Sequence, residues 1–466
     1  MTTRDFAQLV LDQVPYDPTD QQIELIAALA RFCSSATPHD TVFLLNGYAG
    51  TGKTSLCAAL VRALNGVGIG TVLLAPTGRA AKVFSSFATH PAYTIHRRIY
   101  SSAGNGITSD RSMAVAENRS HNTVFIVDEA SMIGGDMATS NLLEDLVHYV
   151  YSGINCRMIL LGDTAQLPPV GCEDSPAMNP DNLRAMGLRV VRATLTATVR
   201  QTADSGILYN ATWLRRAMRQ SELPLPRLVA SRFPDIEVVP GEELEDRLSR
   251  SYAETGLLNT ILVTRSNRRA TDFNAAVRSS ILYCEEEITR DDIILVAKNN
   301  YFWSREVKGL DFLANGDMAV VEQVYGTELR YGLRFADVAL HMPARDVTFD
   351  AKIILDSLYI EEASMGRQRM LDLFNAIVSD PDDNETSDAT RAANALKSPY
   401  FNALQVKFGY AVTCHKAQGG QWADVFVDLS YIPPEAMGME FYRWLYTAIT
   451  RATSRLCLID PTLPVK

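Results

Sequence analysis

The feature that most constrains the fold is an eight-residue glycine motif directly after an apolar run. Residues 47–54 read Gly-Tyr-Ala-Gly-Thr-Gly-Lys-Thr, which fits the spacing GxxxxGK[ST] of phosphate-binding loops. A β-branched run at residues 41–45 precedes the motif and a helical pattern follows it, as such a loop requires. The glycines allow backbone amides to surround phosphate oxygens, while Lys53 supplies positive charge and Thr54 can ligate Mg²⁺. The motif therefore predicts a nucleotide-binding α/β domain.

The same succession of a short β-branched run, a turn and a helical pattern recurs along the chain. The runs lie at residues 41–45, 71–75, 124–127 and 158–161 and, later, at 261–263, 411–412, 425–427 and 456–459. Such runs are typical of buried parallel strands, and ligands bind beyond the carboxyl ends of these strands. We therefore predict two α/β lobes.

Two polar segments follow strands of the predicted first lobe. Asp128 and Glu129 come directly after the run at 124–127, so one carboxylate could hold Mg²⁺ and the other could polarise an attacking water. Gln166 lies in the turn after 158–161, where its amide could both donate to and accept from groups at a terminal phosphate. The acidic pair alone would suit a solvated turn, but its position beside a phosphate loop favours catalysis. For Gln166, an ordinary proline turn explains the sequence equally well.

Three further residues have both a structural and a functional interpretation. Thr19 and Gln22 have the spacing of a capping box at a helix start, so Gln22 could cap the helix, read an adenine edge, or do both. Arg200 and Arg451 lie outside the phosphate-loop lobe, from where an arginine can reach a terminal phosphate and link hydrolysis to lobe closure. Most arginines simply lie at the surface, and the residues alone leave these alternatives open.

Composition limits the class of protein. Hydrophobic residues make up 47% and charged residues 21%, as in ordinary globular domains, and no apolar run is long enough for a membrane span. The seven cysteines form no CxxC pair, so we expect neither zinc nor a disulfide framework, and a cytoplasmic location. The net charge of −10 argues against a general polyanion-binding surface but permits a local basic track.

The order of these motifs resembles that of superfamily-one helicases, in the branch that contains RecD, Dda and the Pif-type helicases. Besides the phosphate loop and the acidic pair, similar segments lie at residues 74–81, 94–97, 162–168, 195–201, 264–267, 409–419 and 446–452. The similar segments extend from about residue 18 to 460, nearly the whole chain. The resemblance implies two RecA-like P-loop NTPase domains with ATP and Mg²⁺ in the cleft between them. It also implies 5′→3′ movement on single-stranded DNA with unwinding of duplex.

Taken with the motifs, the resemblance assigns roles to three sets of residues. The catalytic set is Lys53, Glu129, Gln166, Arg200 and Arg451. The ATP-binding set is Gln22, Gly47, Ala49, Gly50, Thr51, Gly52, Lys53, Thr54, Ser55 and Gly419, with Thr54 and Asp128 at the metal. The DNA-binding set is Pro76, Thr77, Arg79, His96, Thr264, Asn267, Thr413, His415 and Lys416. Hydroxyl, imidazole and ammonium groups suit this task, because they bind phosphate oxygens without reading base sequence.

The resemblance also implies a division of the chain. Residues 1–195 form ATPase domain 1A, with a small 1B pin insertion at about 97–121 that contains a hairpin-turn signal, Gly-Asn-Gly. Residues 196–317 and 405–466 form domain 2A. Residues 318–404, which alternate like antiparallel strands, form an inserted SH3-like 2B β-barrel.

Two other functions remain open from the sequence. A pin with Tyr100 as its only aromatic residue would suit a single-strand translocase or motor subunit that needs a protein partner, in a repair or replication complex, to open a duplex. The phosphate loop and acidic pair alone would also permit a kinase or GTPase that acts on small molecules or proteins, although the later motifs do not favour it. Under the helicase interpretation we expect a monomer that binds single-stranded and tailed duplex DNA.

Overall fold

The computed structural model describes residues 1–34, 36–102, 113–134, 141–197, 205–308, 310, 312–380 and 387–466. Its strands are, in chain order, β1 (Thr41–Gly47), β2 (Gly70–Ala75), β3 (Ala92–Thr94), β4 (Tyr100–Ser102), β5 (Met113–Val115), β6 (Thr123–Val127), β7 (Arg157–Gly162), β8 (Arg189–Leu195), β9 (Ile236–Val239), β10 (Thr260–Thr264), β11 (Ile293–Val296), β12 (Met318–Arg330), β13 (Leu333–Met342), β14 (Val347–Ile354), β15 (Leu404–Phe408), β16 (Ala411–Thr413), β17 (Trp422–Asp428) and β18 (Ala452–Ile459).

The α-helices follow the predicted alternation with the strands in both lobes. They are α1 (Thr3–Leu11), α2 (Asp20–Phe32), α3 (Lys53–Gly66), α4 (Gly78–Ala88), α5 (Ile95–Ile99), α6 (Leu142–Ser152), α7 (Pro180–Ala185), α8 (Gly206–Ala217), α9 (Leu244–Thr255), α10 (Asn267–Ala276), α11 (Arg367–Val378), α12 (Asp388–Lys397), α13 (Cys414–Ala417) and α14 (Met439–Ile449). None of the helices in the described part of the chain has the length and apolar character needed to cross a bilayer.

The first lobe is built on a six-stranded parallel sheet in the order β3-β2-β6-β7-β1-β8. The four strands predicted from apolar runs, β1, β2, β6 and β7, are all present. Strand β8 forms an edge, and most of its residues, including Arg189 and Arg192, are at least partly exposed, so it has no continuous apolar run that would reveal it. The residues that follow β1, β6 and β7 lie together at the carboxyl ends of these parallel strands. The phosphate loop, the acidic pair and Gln166 are therefore close to one another, as a shared nucleotide site requires.

The second lobe is built on a five-stranded parallel sheet in the order β16-β10-β17-β18-β9. Helices α8 and α14 pack on this sheet, because Leu214 and Tyr442 share one apolar cluster with Val425 and Leu456. Two parallel α/β sheets confirm the predicted fold class. Strand β9, at the edge, was not predicted because only its first and last residues are buried.

A closed barrel of strands β11, β12, β13, β14 and β15 confirms the predicted barrel in the second half of the chain. It begins before the predicted 318–404 segment, at β11, and ends beyond that segment, with β15, while α11 and α12 inside the segment were not expected. The barrel residues Val321 and Leu340 share an apolar cluster with Leu262 and Phe426 of the second-lobe sheet. Because this core is shared, the apolar pattern contains no boundary between the two, and the division into domains stays a prediction.

The predicted pin has an antiparallel base in the structure. Strands β4 and β5 pair with Tyr100 opposite Val115. The predicted Gly-Asn-Gly tip, residues 104–106, lies outside the described residues.

Candidate nucleotide site between the two lobes

The phosphate loop joins the end of β1 to the start of α3. Gly50 and Gly52 adopt left-handed conformations, with φ of 76° and 80°, which glycine reaches without the steric cost of a side chain. A Cβ atom at Gly47 would lie 2.6 Å from the side-chain carbons of Lys53. The glycines of the motif are therefore required both for the turn and for the close approach of the lysine.

Lys53 lies folded into the loop. Its ammonium donates to the carbonyl oxygens of Gly47 and Tyr48, the second at 3.2 Å. The Thr51 hydroxyl donates to the same Tyr48 carbonyl at 2.7 Å. These bonds hold a compact loop with its positive charge at the centre, next to the N-terminus of α3, which is the arrangement that binds phosphate.

The acidic pair follows β6 and faces the start of α3. Burial, together with the neighbouring Glu129 charge, raises the pKa of Asp128 to about 7, and a hydrogen bond from the Thr54 hydroxyl opposes this shift. Glu129 has a left-handed backbone, with φ of 51°, which is uncommon for a residue other than glycine. A carboxylate and a hydroxyl side by side supply the oxygen ligands that Mg²⁺ prefers. The residues present therefore fit the predicted metal position at Thr54 and Asp128.

Gln166 is buried at the turn after β7. Its backbone N–H donates to the Asp163 carbonyl at 3.1 Å, but its side-chain oxygen Oε1 has no hydrogen-bond partner among the residues described. Buried amide oxygens are normally paired, so an unpaired one points to a ligand or a water. This geometry favours a functional role for Gln166 over an ordinary proline turn.

Gln22 is fully buried and bonded on both sides of its amide. Its Oε1 accepts from the Thr19 N–H at 3.0 Å, and the Thr19 hydroxyl accepts from the Gln22 N–H, which confirms the capping box. Its Nε2 donates to the Thr51 carbonyl at 3.0 Å and to the Tyr16 hydroxyl at 3.3 Å. Gln22 therefore braces the phosphate loop from helix α2. Contact with adenine would have to compete with these bonds, and it stays a prediction.

The two predicted arginines have different outcomes. Arg200 lies in the segment 198–204, outside the described residues. Arg451 is buried just after α14 and donates to the carbonyl oxygens of Thr447 at 3.0 Å and Gly420 at 3.2 Å. Its guanidinium thus lies against the segment that contains the predicted ATP residue Gly419. Both phosphate-binding assignments stay predictions.

A tyrosine from the second lobe links two segments of the first lobe. The Tyr446 hydroxyl accepts from the Ala49 N–H at 3.0 Å and donates to the Asp163 carboxylate at 2.6 Å. Burial and the Asp163 charge raise the pKa of Tyr446 well above its ordinary value, so the phenol keeps its proton. This contact joins the phosphate loop, the turn after β7 and helix α14. The sequence alone did not assign it, although Tyr446 lies in one of the similar segments.

Two further bonds tie the same turn to the second lobe. The Leu167 N–H donates to the Thr447 hydroxyl at 2.9 Å, and the Leu167 carbonyl accepts from Gln418 Nε2 at 2.7 Å. The segment that carries Gln166 is therefore held by the second lobe through both the N–H and the carbonyl of Leu167. A movement of α14 relative to the first sheet has to move this segment or break these bonds.

Removal of the Tyr446 hydroxyl is expected to destabilise the protein. In Tyr446→Phe the Ala49 N–H and a buried Asp163 oxygen lose their partner, at a cost of about 1–3 kcal/mol. A lower melting temperature in calorimetry would show this. Tyr431→Phe is the matched control, because Tyr431 is 88% exposed and its substitution should leave the melting temperature unchanged. Equal melting temperatures for the two variants would contradict the prediction.

The predicted DNA residues of the first lobe lie where the two lobes meet. Thr77 follows Pro76 and caps α4, accepting from the Ala80 N–H at 3.2 Å. Arg79 donates to the Gln421 carbonyl at 2.9 Å, and its guanidinium carbon lies 3.7 Å from the centroid of the Trp422 ring. Burial and the nearby Arg451 lower the pKa of Arg79 to about 10. Arg79 therefore has an interlobe contact that was not predicted, and its role on DNA stays a prediction.

The remaining predicted DNA residues divide between the lobes. His96 of the first lobe has its ring centroid 6.1 Å from that of Phe312, and burial lowers its pKa. In the second lobe, Thr264 and Thr413 are opposite one another in the pairing of β10 and β16. His415 and Lys416 follow Thr413, and Asn267 begins α10 after Thr264; these lie around the same strand ends. Burial lowers the pKa of both His415 and Lys416.

One of these residues is less accessible than expected. Thr264 is fully buried and its hydroxyl donates to the carbonyl oxygens of Ser266 and Val412, at 3.0 and 3.4 Å. A strand phosphate would have to replace these bonds to reach it. The structure therefore favours the residues around the same strand ends, rather than Thr264 itself, as contacts for a DNA phosphate.

Comparison with known proteins gives matches at both ends of the chain. Residues 20–223 match the family model described as an AAA domain, and residues 408–459 match the UvrD-like helicase C-terminal domain. The ATP-dependent RecD2 DNA helicase of Deinococcus radiodurans is 24% identical over 428 residues, which cover 88% of this chain and 46% of that protein. The chain thus spans about half the length of that relative. An uncharacterized protein of Acanthamoeba polyphaga mimivirus is 22% identical, with 89% of this chain and 94% of the relative covered.

Solved structures also resemble the chain over most of its length. A Pif1 helicase from Bacteroides, in complex with ADP-AlF3 and ssDNA, has 15% identity and a TM-score of 0.47, and the match covers 96% of this chain and 93% of that one. A Pif1 helicase from Candida albicans has 14% identity and a TM-score of 0.45, with 96% and 94% covered.

Proposed function

We propose that this chain, which belongs with the superfamily-one helicases of the RecD and Pif type, hydrolyses ATP to move 5′→3′ along single-stranded DNA and to separate duplex. The observation that carries the proposal is the direct bonding of the phosphate loop and the Gln166 turn to helix α14 of the second lobe. A site that shares its bonds between two lobes can convert nucleotide binding into relative lobe movement. A phosphate-loop kinase or GTPase would need no such second lobe.

Each step of hydrolysis has a residue suited to it, most of them in the first lobe. Lys53 and the loop amides bind the β- and γ-phosphates, and Thr54 with Asp128 holds Mg²⁺, which neutralises phosphate charge when bound. Glu129 takes the proton of the attacking water, and the unpaired Oε1 of Gln166 accepts a hydrogen bond from that water. Arg200 and Arg451 supply positive charge to the transition state from the second lobe.

In this proposal the single-stranded DNA lies across the carboxyl ends of the β-strands in both lobes. The first lobe contributes Thr77 and His96, and the second contributes Thr413, His415 and Lys416. Their contacts with phosphate give affinity without base specificity. Separation of a base pair costs about 1.4 kcal/mol on average, so one ATP per step is sufficient. We also propose that the protein is a monomer, that it is located in the cytoplasm and that its chain divides into domains 1A, 2A and 2B.

An unwinding assay tests the proposal and its polarity. The full chain is given ATP, Mg²⁺ and duplexes with a 5′ tail, a 3′ tail or a 5′ RNA tail. We expect strand separation with the 5′ DNA tail. Preference for the 3′ tail would contradict the polarity but retain the motor. Strand-stimulated hydrolysis without separation of any duplex would favour a translocase that needs a partner. Hydrolysis that no oligonucleotide stimulates would contradict the motor.

A further inference from the structure

The second residue of the phosphate loop, Tyr48, is inserted into the second lobe. Its side chain is only 8% exposed and belongs to the apolar cluster that contains Leu214 of α8 and Tyr442 of α14. Of the other residues of the motif, Thr51 and Lys53 bond within the loop, while the Ala49 N–H donates to the Tyr446 hydroxyl of the second lobe. Tyr48 therefore anchors the loop in the opposite lobe through its side chain, next to the backbone bond from Ala49 to Tyr446.

Two arginines contact the Tyr48 ring, Arg215 in the last turn of α8 and Arg219 two residues after this helix. The Arg215 guanidinium carbon lies 4.3 Å from the ring centroid, and that of Arg219 lies at 5.5 Å. Arg219 also donates to the Tyr48 hydroxyl at 2.5 Å. Both arrangements are attractive, because a cation over an aromatic face interacts with its negative quadrupole, the more so where water is excluded. We call these three residues the Tyr48 clamp.

Arg215 depends on this contact. It is buried, with 8% exposure, and its Nη2 donates to the Thr212 hydroxyl at 2.9 Å. Its Nε and Nη1 atoms have no hydrogen-bond partner among the described residues, and its guanidinium lies over the Tyr48 ring. A buried charge that loses its partner is costly. We therefore expect the Tyr48 ring either to keep its contacts with both arginines or to lose both, with few intermediate positions.

The backbone of Tyr48 controls the inside of the loop. Its carbonyl accepts from both the Lys53 ammonium and the Thr51 hydroxyl. A shift of the Tyr48 ring would move this carbonyl and, with it, the lysine that binds phosphate. The ring thus connects α8 of the second lobe to the charge at the centre of the nucleotide site.

We propose that the Tyr48 clamp couples the nucleotide site to the second lobe, so that contact of the Tyr48 side chain with Arg215 and Arg219 sets the shape of the phosphate loop. Tyr48, Arg215 and Arg219 are positioning residues in this role. The inference rests on the proposed function, because it links ATP binding to strand binding across the same cleft. Coupling between two sites is reciprocal, so ATP must change strand affinity by the factor by which the strand changes ATP affinity.

The test measures this factor in the full chain. Binding of labelled oligo(dT) is titrated by fluorescence anisotropy with and without AMP-PNP and Mg²⁺, and the ratio of the two dissociation constants is the coupling factor. We expect a factor of about five or more for the wild type, the lower end of ordinary allosteric coupling. Arg219→Met and Tyr48→Phe, which remove the hydroxyl contact, should each reduce it at least threefold, and Arg215→Met should bring it close to one.

The control and a double variant make the result specific. Arg216→Met changes an exposed arginine on the same helix and should leave the coupling factor unaltered. The double variant Tyr48→Phe/Arg219→Met should be no worse than the more affected single variant, because both remove the same bond. A merely structural role would weaken oligo(dT) binding by the same factor with and without AMP-PNP, and would leave the ratio of the two dissociation constants intact.

The outcomes separate this inference from the proposed function. Clamp variants that bind both ligands and have the wild-type coupling factor would overturn the role of the clamp. The proposed motor function would be unaffected by that result. A wild-type chain that binds no oligo(dT) at all would overturn both. A reduced ratio in Arg219→Met, with Arg216→Met unchanged, would support the clamp even if Arg215→Met failed to fold, because Arg219 is exposed.

Discussion

Replacement of Lys53 by methionine is expected to reduce the rate constant for ATP hydrolysis by about 10³-fold, the scale on which loss of a fixed transition-state charge or donor acts. Methionine has nearly the same length and apolar stem but no charge. It therefore leaves the start of α3 in place and removes the ammonium that donates to the Gly47 and Tyr48 carbonyls. Hydrolysis is measured with saturating oligonucleotide, and strand separation should disappear with it.

The control for this prediction is Lys397→Met, at an exposed position at the end of α12. That variant should hydrolyse ATP at the wild-type rate. Because Lys53 also holds the loop together, the melting temperatures of both variants have to be compared, so that loss of catalysis is separated from loss of folding. A folded Lys53→Met variant with oligonucleotide-stimulated hydrolysis near the wild-type rate would remove the phosphate loop from the mechanism.

A strand or helix could be predicted where the residues that determine it are close together in the sequence, and it was missed where they are not. Central strands such as β1 and β7 are buried on both faces, and they give continuous apolar runs that reveal them directly. Edge strand β8 exposes most of its positions at least partly, and edge strand β9 exposes its two central residues, so the same criterion misses both. The barrel start at β11 was missed because its apolar run is indistinguishable from a strand of the lobe beside it, with which it shares a core.

The same distinction holds at the candidate site. The capping role of Gln22 follows from a spacing of three residues, and the structure confirms it. The positions of Asp128 and Gln166 follow from strand ends in one sheet. By contrast, the Ala49–Tyr446 bond joins positions 397 residues apart, and no local pattern shows that a phenol will meet a particular amide. The motif order indicated that the second lobe takes part, but only packing identifies the side chains that make the contact.

Arg79 has a contact that the sequence did not predict, in addition to its predicted role on DNA, which stays a prediction. The resemblance of residues 74–81 to a helicase motif implied that Arg79 contacts DNA. In the structure its guanidinium stacks on Trp422 and bonds to the Gln421 carbonyl, which places it in the interlobe surface. If DNA binds at the predicted residues, Arg79 would contact both the second lobe and the DNA. The sequence could not distinguish these roles, because an arginine is suited to a phosphate, a carbonyl and an aromatic ring alike.

Glu129→Gln is expected to lower kcat for ATP hydrolysis by about 10²–10⁴-fold, the range ascribed to a general base, with little change in ATP affinity. Glutamine has the same size and can still orient a water, but it cannot accept the water's proton. The left-handed backbone at this position, with φ of 51°, is retained because the substitution changes only the end of the side chain. Removal of the Glu129 charge also relieves the repulsion that helps to raise the pKa of Asp128. Metal binding should therefore not weaken, and the loss should fall on kcat alone.

Pre-steady-state kinetics distinguish this outcome from a loss of binding. Binding of a fluorescent ATP analogue should be close to wild type, while the single-turnover hydrolysis rate falls by the full factor. Glu144→Gln, at an exposed position on α6, is the control and should change neither quantity. A variant whose affinity falls while its single-turnover rate is preserved would assign Glu129 to nucleotide or metal binding instead. In that case Gln166, whose buried Oε1 has no partner among the residues described, would be the next group to test as the one that orients the water.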